Sequence, residues 1–397
     1  MTRALAIAGA IAASVALGCG VAPSAGVAPA VAREEAPAWR VRPPGGTQPI
    51  DPGLPASPGL PAHSGPPASA DALLDARGCA SCHAAITDEW SRSRHALAWT
   101  SSIFQTEYTL QPQAWCVNCH APLTTQQADL SGPRAAQGVD CATCHVRAGK
   151  LVARARRDGS PHETIGDPTF GSPAFCADCH EFTFPVLSPE TGAALRMTAH
   201  PMQNTVASFR AGPYAREREG CLACHGSRHG HAFLGGHDDT MLESALDVAW
   251  CRQPQASARP DGADRGAEDQ VLRVTVRNAA AGHTVPTGDI HRHMYLRLWR
   301  SSAPEALFQA FFGRRFELAD DGGKKTIWDS TLAPGASQSF QLALDQLGGD
   351  AGEPVNLELV YVFTGNEFPR SRVAPDEPVA ASAVRRRAAP GDLAPCR

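Results

Sequence analysis

Cys79-Ala-Ser-Cys82-His83 opens a pattern that returns as Cys116-Val-Asn-Cys119-His120, Cys141-Ala-Thr-Cys144-His145, Cys176-Ala-Asp-Cys179-His180 and Cys221-Leu-Ala-Cys224-His225. These five copies take up ten of the 13 cysteines. Cys-x-x-Cys-His is the attachment pattern of c-type haem: the two thiols add to the vinyl groups and the adjacent imidazole reaches the iron from the proximal side. Zinc sites and disulfides also use paired cysteines, but neither needs a histidine directly after every second one. The reading is five covalently attached haem c groups, with Cys79, Cys82, Cys116, Cys119, Cys141, Cys144, Cys176, Cys179, Cys221 and Cys224 as anchors and His83, His120, His145, His180 and His225 as proximal ligands.

Working outward, the motifs occupy residues 73–250, about 36 residues per haem, too few for each group to have a core of its own. The macrocycles themselves must fill that region, with short helices after each motif and irregular loops between them. From Gln270 the pattern changes to alternation: Leu272, Val274 and Val276 share one face, and Arg273, Thr275 and Arg277 the other, which is strand periodicity. Similar runs at residues 294–299, 306–318, 337–344 and 355–363 are separated by turn signals such as Asp321-Gly322-Gly323 and Pro334-Gly335. Residues 265–397 therefore read as a small antiparallel β-sandwich, and the fold class as α+β. Cys251 and Cys396 bracket that sandwich, and whether they pair is left open at this point.

Toward the N-terminus, Met1-Thr2-Arg3 precedes an apolar run from Ala4 to Leu17, then Gly18-Cys19. One cation, a short apolar core and small residues describe an export signal over residues 1–19. Val15-Ala16-Leu17-Gly18-Cys19 resembles a bacterial lipobox with its leucine displaced by one place, which makes Cys19 the lipidation candidate; cleavage after Ala30 or Ala32 is the alternative. Residues 20–72 hold 12 prolines between residues 20 and 70 among Ala, Gly and Ser and read as a semi-rigid tether. The expected location is the periplasm or the outer surface of a bacterium, with the protein held to the membrane through a lipid.

Spare histidines decide the sixth position on each iron. Of 15 histidines, five are proximal and His63 lies in the tether. Methionine is scarce, at 5 residues including the initiator, so bis-histidine ligation and lower potentials than His/Met ligation are expected. His95 follows His83 by 12 residues, about 18 Å along a helix, so the two cannot hold one iron. His95 is expected to reach a neighbouring haem. His162 lies before the fourth motif, His231 and His237 flank Phe233-Leu234-Gly235-Gly236, and His283 sits in Gly282-His283-Thr284-Val285-Pro286 between two predicted strands. His95, His162, His231, His237 and His283 are the distal candidates; His200 and His229 are weaker ones. His291 and His293 share a strand face with Tyr295 and Arg297 and read as solvated.

A formal net charge of -4, with 36 basic residues of which three are lysine, gives no basic patch for nucleic acid. The partners expected are redox proteins, donor and acceptor unspecified.

Cys79-Ala-Ser-Cys82-His83 followed by Trp90, Ser93, His95 and Ala98 resembles the opening motif of the multihaem cytochromes related to cytochrome c-554 of nitrifying bacteria. Met202-Gln203-Asn204-Thr205, His231-Ala232-Phe233-Leu234-Gly235-Gly236-His237-Asp238, and Ala281 to Gly288 with Asp329 to Gly335, look like recurring blocks of similar exported proteins. The resemblance spans about 73–365 and implies ligand roles for His95, His231, His237 and His283. It departs in having five motifs and a β-domain where cytochrome c-554 has four haems and none. There is no Cys-x-x-Cys-Lys, the mark of the active haem in the usual pentahaem nitrite reductases.

Three functions follow. The first is an electron carrier in a respiratory chain, with mostly bis-histidine haems. The second is a multihaem oxidoreductase acting on a small nitrogen or sulfur compound at one five-coordinate haem, motivated by the lack of spare histidines near the second and third motifs. A docking role for the β-domain, with haem as structural filler, is a third.

Overall fold

The computed structural model describes residues 74–147, 149–156, 162, 164–216, 220–226, 230–254, 270–350, 352–365 and 368–396. The export signal, Cys19, the tether, His63 and His229 lie outside these residues.

The first half is built from short helices: α1 (Ala76–Ala80), α2 (Ala84–Ser91), α3 (Ser102–Leu110), α4 (Ala114–His120), α5 (Thr124–Gln127), α6 (Cys141–His145), α7 (Pro173–His180), α8 (Thr205–Ala211), α9 (Cys221–His225) and α10 (Asp239–Ala245). Four of the five motifs end a helix on their histidine. Residues i, i+3 and i+4 share one helical face, so a single turn sends both thiols and the imidazole to the same side. Local capping fixes these turns: Asp140 accepts from the Thr143 N–H and Ser172 from the Phe175 N–H. At the other end the N–H after each of the four histidines closes onto the carbonyl four residues back, as from Ala121 to Val117 and from Gly226 to Leu222. The first motif differs, with Cys79 in α1 and His83 at the N-cap of α2.

Between the helices lie β1 (Val146–Arg147), β2 (Lys150–Ala153) and β3 (Thr164–Gly166) in one small sheet, and the hairpin β4 (Glu181–Leu187) with β5 (Ala194–Asn204). Sequence reading had loops there. Apolar packing in this half is thin. One buried cluster holds Leu74, Leu123, Ala142 and Val146, and another Trp99, Val117, Ala121 and Ala135.

The second half is a two-sheet sandwich formed from β6 (Leu246–Pro254), β7 (Gln270–Asn278), β8 (His293–Arg300), β9 (Ala303–Phe312), β12 (Ser337–Ala343), β13 (Val355–Val362) and β14 (Ala380–Ala388), with a side hairpin of β10 (Arg314–Leu318) and β11 (Lys324–Asp329). One sheet runs β12-β7-β6, the other β14-β13-β8-β9, and all pairings within both are antiparallel. Leu272, Val274 and Val276 of β7 face Met294, Leu296 and Leu298 of β8 and Leu357 and Leu359 of β13 in one large core. All eight are at most 1% exposed, and each contributes roughly 1.5–3 kcal/mol by leaving water. Cys251 on β6 is disulfide-bonded to Cys396, tying the chain end to the sandwich. β6 starts at Leu246, inside the range that the motif spacing had given to the haem-bearing half.

Candidate haem sites

Four motif histidines each face one other imidazole. The ring centroids are 6.1 Å apart for His83 and His162, 6.2 Å for His180 and His95, 6.4 Å for His145 and His231, and 6.2 Å for His225 and His283. An imidazole nitrogen binds a first-row metal at about 2.0 Å and lies roughly 1.1 Å from its ring centre, so two rings on opposite sides of one iron have centroids roughly 6.2 Å apart. The four pairs have the spacing that a haem iron between them requires, and the residues fit the group. Among the described residues no three of His, Cys, Asp and Glu converge as a metal cluster.

Main-chain carbonyls orient the rings. His145 Nδ1 lies 3.0 Å from the Val152 carbonyl, His225 Nδ1 2.6 Å from that of Leu234, His283 Nδ1 2.9 Å from that of Thr284 and His120 Nδ1 2.6 Å from that of Ala98. A proton held on Nδ1 by a carbonyl leaves Nε2 as the nitrogen free for a metal. At His180 the contact is the Gln203 side-chain amide, 3.1 Å away.

Three of the distal candidates, His95, His231 and His283, are fixed by their own local structure. His95 is held through Gly138, whose φ of 59° allows the Val139 N–H to donate to the His95 carbonyl at 2.9 Å. A Cβ at Gly138 would meet that carbonyl at 2.6 Å. Burial, reinforced by His180 and His225, holds the His95 imidazole down to about 4, so it is neutral and able to donate a lone pair at ordinary pH. The His231 N–H donates to Glu89 of α2 at 2.9 Å. His283 is set by the sandwich: Val285 and Leu332 exchange backbone bonds, Asn278 Nδ2 donates to the His283 carbonyl at 2.9 Å, and Ser208 of α8 accepts from the Thr284 N–H at 3.2 Å.

The motifs also touch one another. The sulfur of Cys79 lies beside that of Cys141, and that of Cys176 beside Cys221, placing the first motif next to the third and the fourth next to the fifth. Phe233 joins the two pairs, edge-on to His95 at 5.0 Å and to His231 at 5.8 Å. It sits at φ 47°, where among the described residues every other positive φ belongs to glycine, a backbone cost that marks functional positions. Sequence reading passed over Phe233; its place between His231 and Gly235-Gly236 was the available signal.

His120 is different. Its ring stacks on Phe104 at 3.6 Å, and among the described residues no histidine ring pairs with it as in the other four. Asp289 and Arg292 lie near enough to act on its charge, although burial is the larger influence and lowers its pKa. Among the described residues, no ring contact joins His237, a distal candidate from sequence, to a motif histidine. It stacks on Phe363 at 3.7 Å and its Nε2 is 3.2 Å from Arg292 Nη1. Burial and the repulsion of Arg292 and Arg94 push its pKa down to about 2. His200 instead lies 3.7 Å from Asp321.

One-turn Cys-x-x-Cys-His helices, imidazole pairs at iron-bridging spacing and an α+β frame are the features expected of a multihaem c-type cytochrome. Residues 78–146 match the family described as cytochrome c554 and c-prime. The fold is similar to that of a penta-heme cytochrome c552 from Thermochromatium tepidum, with a TM-score of 0.55 and 18% identity, over 78% of this chain and 97% of that one. No curated protein matches in sequence. Among the described residues no helix is long and apolar enough to cross a membrane.

Proposed function

We propose that this chain is an exported pentahaem cytochrome that carries electrons in a respiratory chain, in the periplasm or on the outer surface of a bacterium, with Cys19 lipidated. The observation that carries the reading is the set of four imidazole pairs at 6.1–6.4 Å. His83 with His162, His145 with His231, His180 with His95, and His225 with His283 would hold four irons, and His120 would be the proximal ligand of the fifth. Haem c supplies reversible one-electron chemistry at low potential when two histidines ligate it. The chain's own residues fix ring orientation through the carbonyls of Val152, Leu234 and Thr284, and Phe233 packs between the two halves of the array. The cysteine contacts support a first motif beside the third and a fourth beside the fifth, and Phe233, against both His231 and His95, supports the link from third to fourth. The sandwich contributes His283 and so caps the fifth. The Cys251–Cys396 disulfide suits an oxidising compartment. Donor and acceptor proteins would dock by surface complementarity, and nothing in the charge pattern suits nucleic acid.

A second reading, an oxidoreductase acting on a small nitrogen or sulfur compound, is favoured by one specific observation: among the described residues no histidine ring pairs with that of His120. Low-temperature electron paramagnetic resonance of the ferric protein separates the two. Five low-spin signals unchanged by cyanide or nitric oxide support the carrier. One high-spin signal that shifts on ligand addition, and that is lost in His120→Met, supports the enzyme. Fewer than four low-spin signals would overturn the ligand pairs.

A further inference from the structure

Outside the imidazole pairs, the described residues hold a cleft of about 450 Å³ on the outer face of β8 and β9, bounded by β10 and the 288–292 loop. Its chemistry is one-sided. His291, His293, Arg314 and Arg315 line it together with Tyr295 and Phe311, and no carboxylate does.

The floor is aromatic: His293 stacks on Phe311 at 5.4 Å and meets Tyr295 edge-on at 5.0 Å. The Arg315 guanidinium lies between Phe311 and Trp328, 5.4 and 5.3 Å from their ring centres. This cation–π support sets the plane of its N–H groups while the residue stays exposed and makes no ion pair among the described residues. Arg314 is fixed from behind by the carbonyls of Pro201 and Met202. Asp289 and Asp329 act on Arg314 from outside the lining.

One atom points to a ligand directly. His293 is 6% exposed; its Nδ1 contacts the His291 carbonyl at 2.8 Å, yet its Nε2 is buried with no hydrogen-bond partner. Buried polar atoms in folded proteins are satisfied in more than about nine cases in ten, so an orphan on the wall of a basic cleft marks a position for a polar group from outside. A volume of this size is that of a small-molecule site, larger than an inorganic ion needs. A planar guanidinium beside flat rings suits a carboxylate carried on a flat apolar body.

We propose that this cleft binds a small planar organic carboxylate, which lies on Tyr295 and Phe311 and presents its oxygens to Arg315 and His293. None of the paired histidines lines the cleft, and the 288–292 loop contributes to both surroundings: Asp289 and Arg292 act on His120, while Ile290 and His291 line the cleft.

The test is isothermal titration calorimetry of the full-length holoprotein with benzoate and, separately, inorganic phosphate, repeated on Arg315→Gln and His293→Phe. Saturable benzoate binding, at least fivefold tighter than phosphate and weakened at least tenfold by Arg315→Gln and at least threefold by His293→Phe, is expected. Absence of saturable benzoate binding overturns the proposal; a haem propionate of the same chain filling the cleft would give that result. So does phosphate binding as tightly as benzoate, or benzoate affinity unaffected by either variant. Arg315 is exposed, so its variant decides alone if His293→Phe does not fold.

Discussion

Glu377 joins the end of the sandwich to the start of α3. Its Oε1 accepts from Arg94 Nη2 at 2.6 Å and Ser101 Oγ at 2.6 Å, and its Oε2 from the Ser102 N–H at 2.6 Å and Ser102 Oγ at 2.7 Å. Burial by itself would raise its pKa, but the bonds from Ser101, Arg94 and Ser102 outweigh it and hold the carboxyl at about 2, against an ordinary value of 4.5. Each tenfold in the ionisation constant is about 1.4 kcal/mol. The displacement is therefore worth about 3 kcal/mol, reduced to about 2–3 because the Arg94 side chain is 34% exposed and partly screened. Glu377→Gln should lower the unfolding free energy by that amount at pH 7. Because the folded pKa lies below the unfolded one, the stabilisation is fully present above about 4.5 and disappears as pH falls through about 2. Urea unfolding followed by far-ultraviolet circular dichroism at pH 7, 4 and 2.5 measures it. The deficit of the variant should shrink steadily between pH 4 and 2.5. A difference below about 0.5 kcal/mol at pH 7, or one of equal size at all three pH values, would refute the reasoning.

Other perturbations test separate parts of the structure. Gly138→Ala forces a Cβ into the His95 carbonyl at a positive φ and should cost about 2–3 kcal/mol, read from thermal melts, with a broadened low-spin resonance for the haem that His95 serves. His283→Ala should convert one low-spin signal to high-spin and leave the other resonances in place; an unchanged spectrum would remove His283 from the ligand set. Cys251→Ser frees a link across 145 residues, which on the loop-closure model is worth about 5 kcal/mol; equal urea midpoints for wild type and variant would contradict it. Phe312→Ala empties a fully buried position of the sandwich core and should cost about 3–5 kcal/mol with the haem spectra unaltered.

The motifs were legible because their chemistry is local: one helical turn carries two thiols and an imidazole. The β7 alternation and the Gly282-His283 loop were legible for a related reason, since period and turn residues are written within a few positions. Besides β1–β5 of the first half, three strands of the second half escaped. Leu246, Val248 and Trp250 of β6 alternate, but they directly follow α10 and read as the end of the haem half. β11 is polar and exposed, and β14 is dominated by alanine and arginine. His291 and His293 show a further limit. Periodicity correctly put His293 opposite Met294, Leu296 and Leu298, but solvent was the wrong medium for that face. Phe311, which packs on it, arrives from the neighbouring strand, and alternation reports which residues share a side without reporting what covers it. Pairings such as His95 with His180 are set by tertiary approach across many residues and leave no trace in spacing.

The acceptors that orient His120, His145, His225 and His283 are peptide carbonyls of Ala98, Val152, Leu234 and Thr284. A peptide carbonyl is present whatever amino acid occupies the position. Point replacement of these four residues can reshape their side chains without deleting the bond, so ring orientation is insulated from ordinary mutational drift there. It is vulnerable instead to changes of chain length: a one-residue insertion between His225 and Leu234, or between His145 and Val152, would carry the acceptor out of line. Divergent versions of this architecture should accordingly vary freely in the identity of those residues while keeping the number of residues that separates each carbonyl from its imidazole.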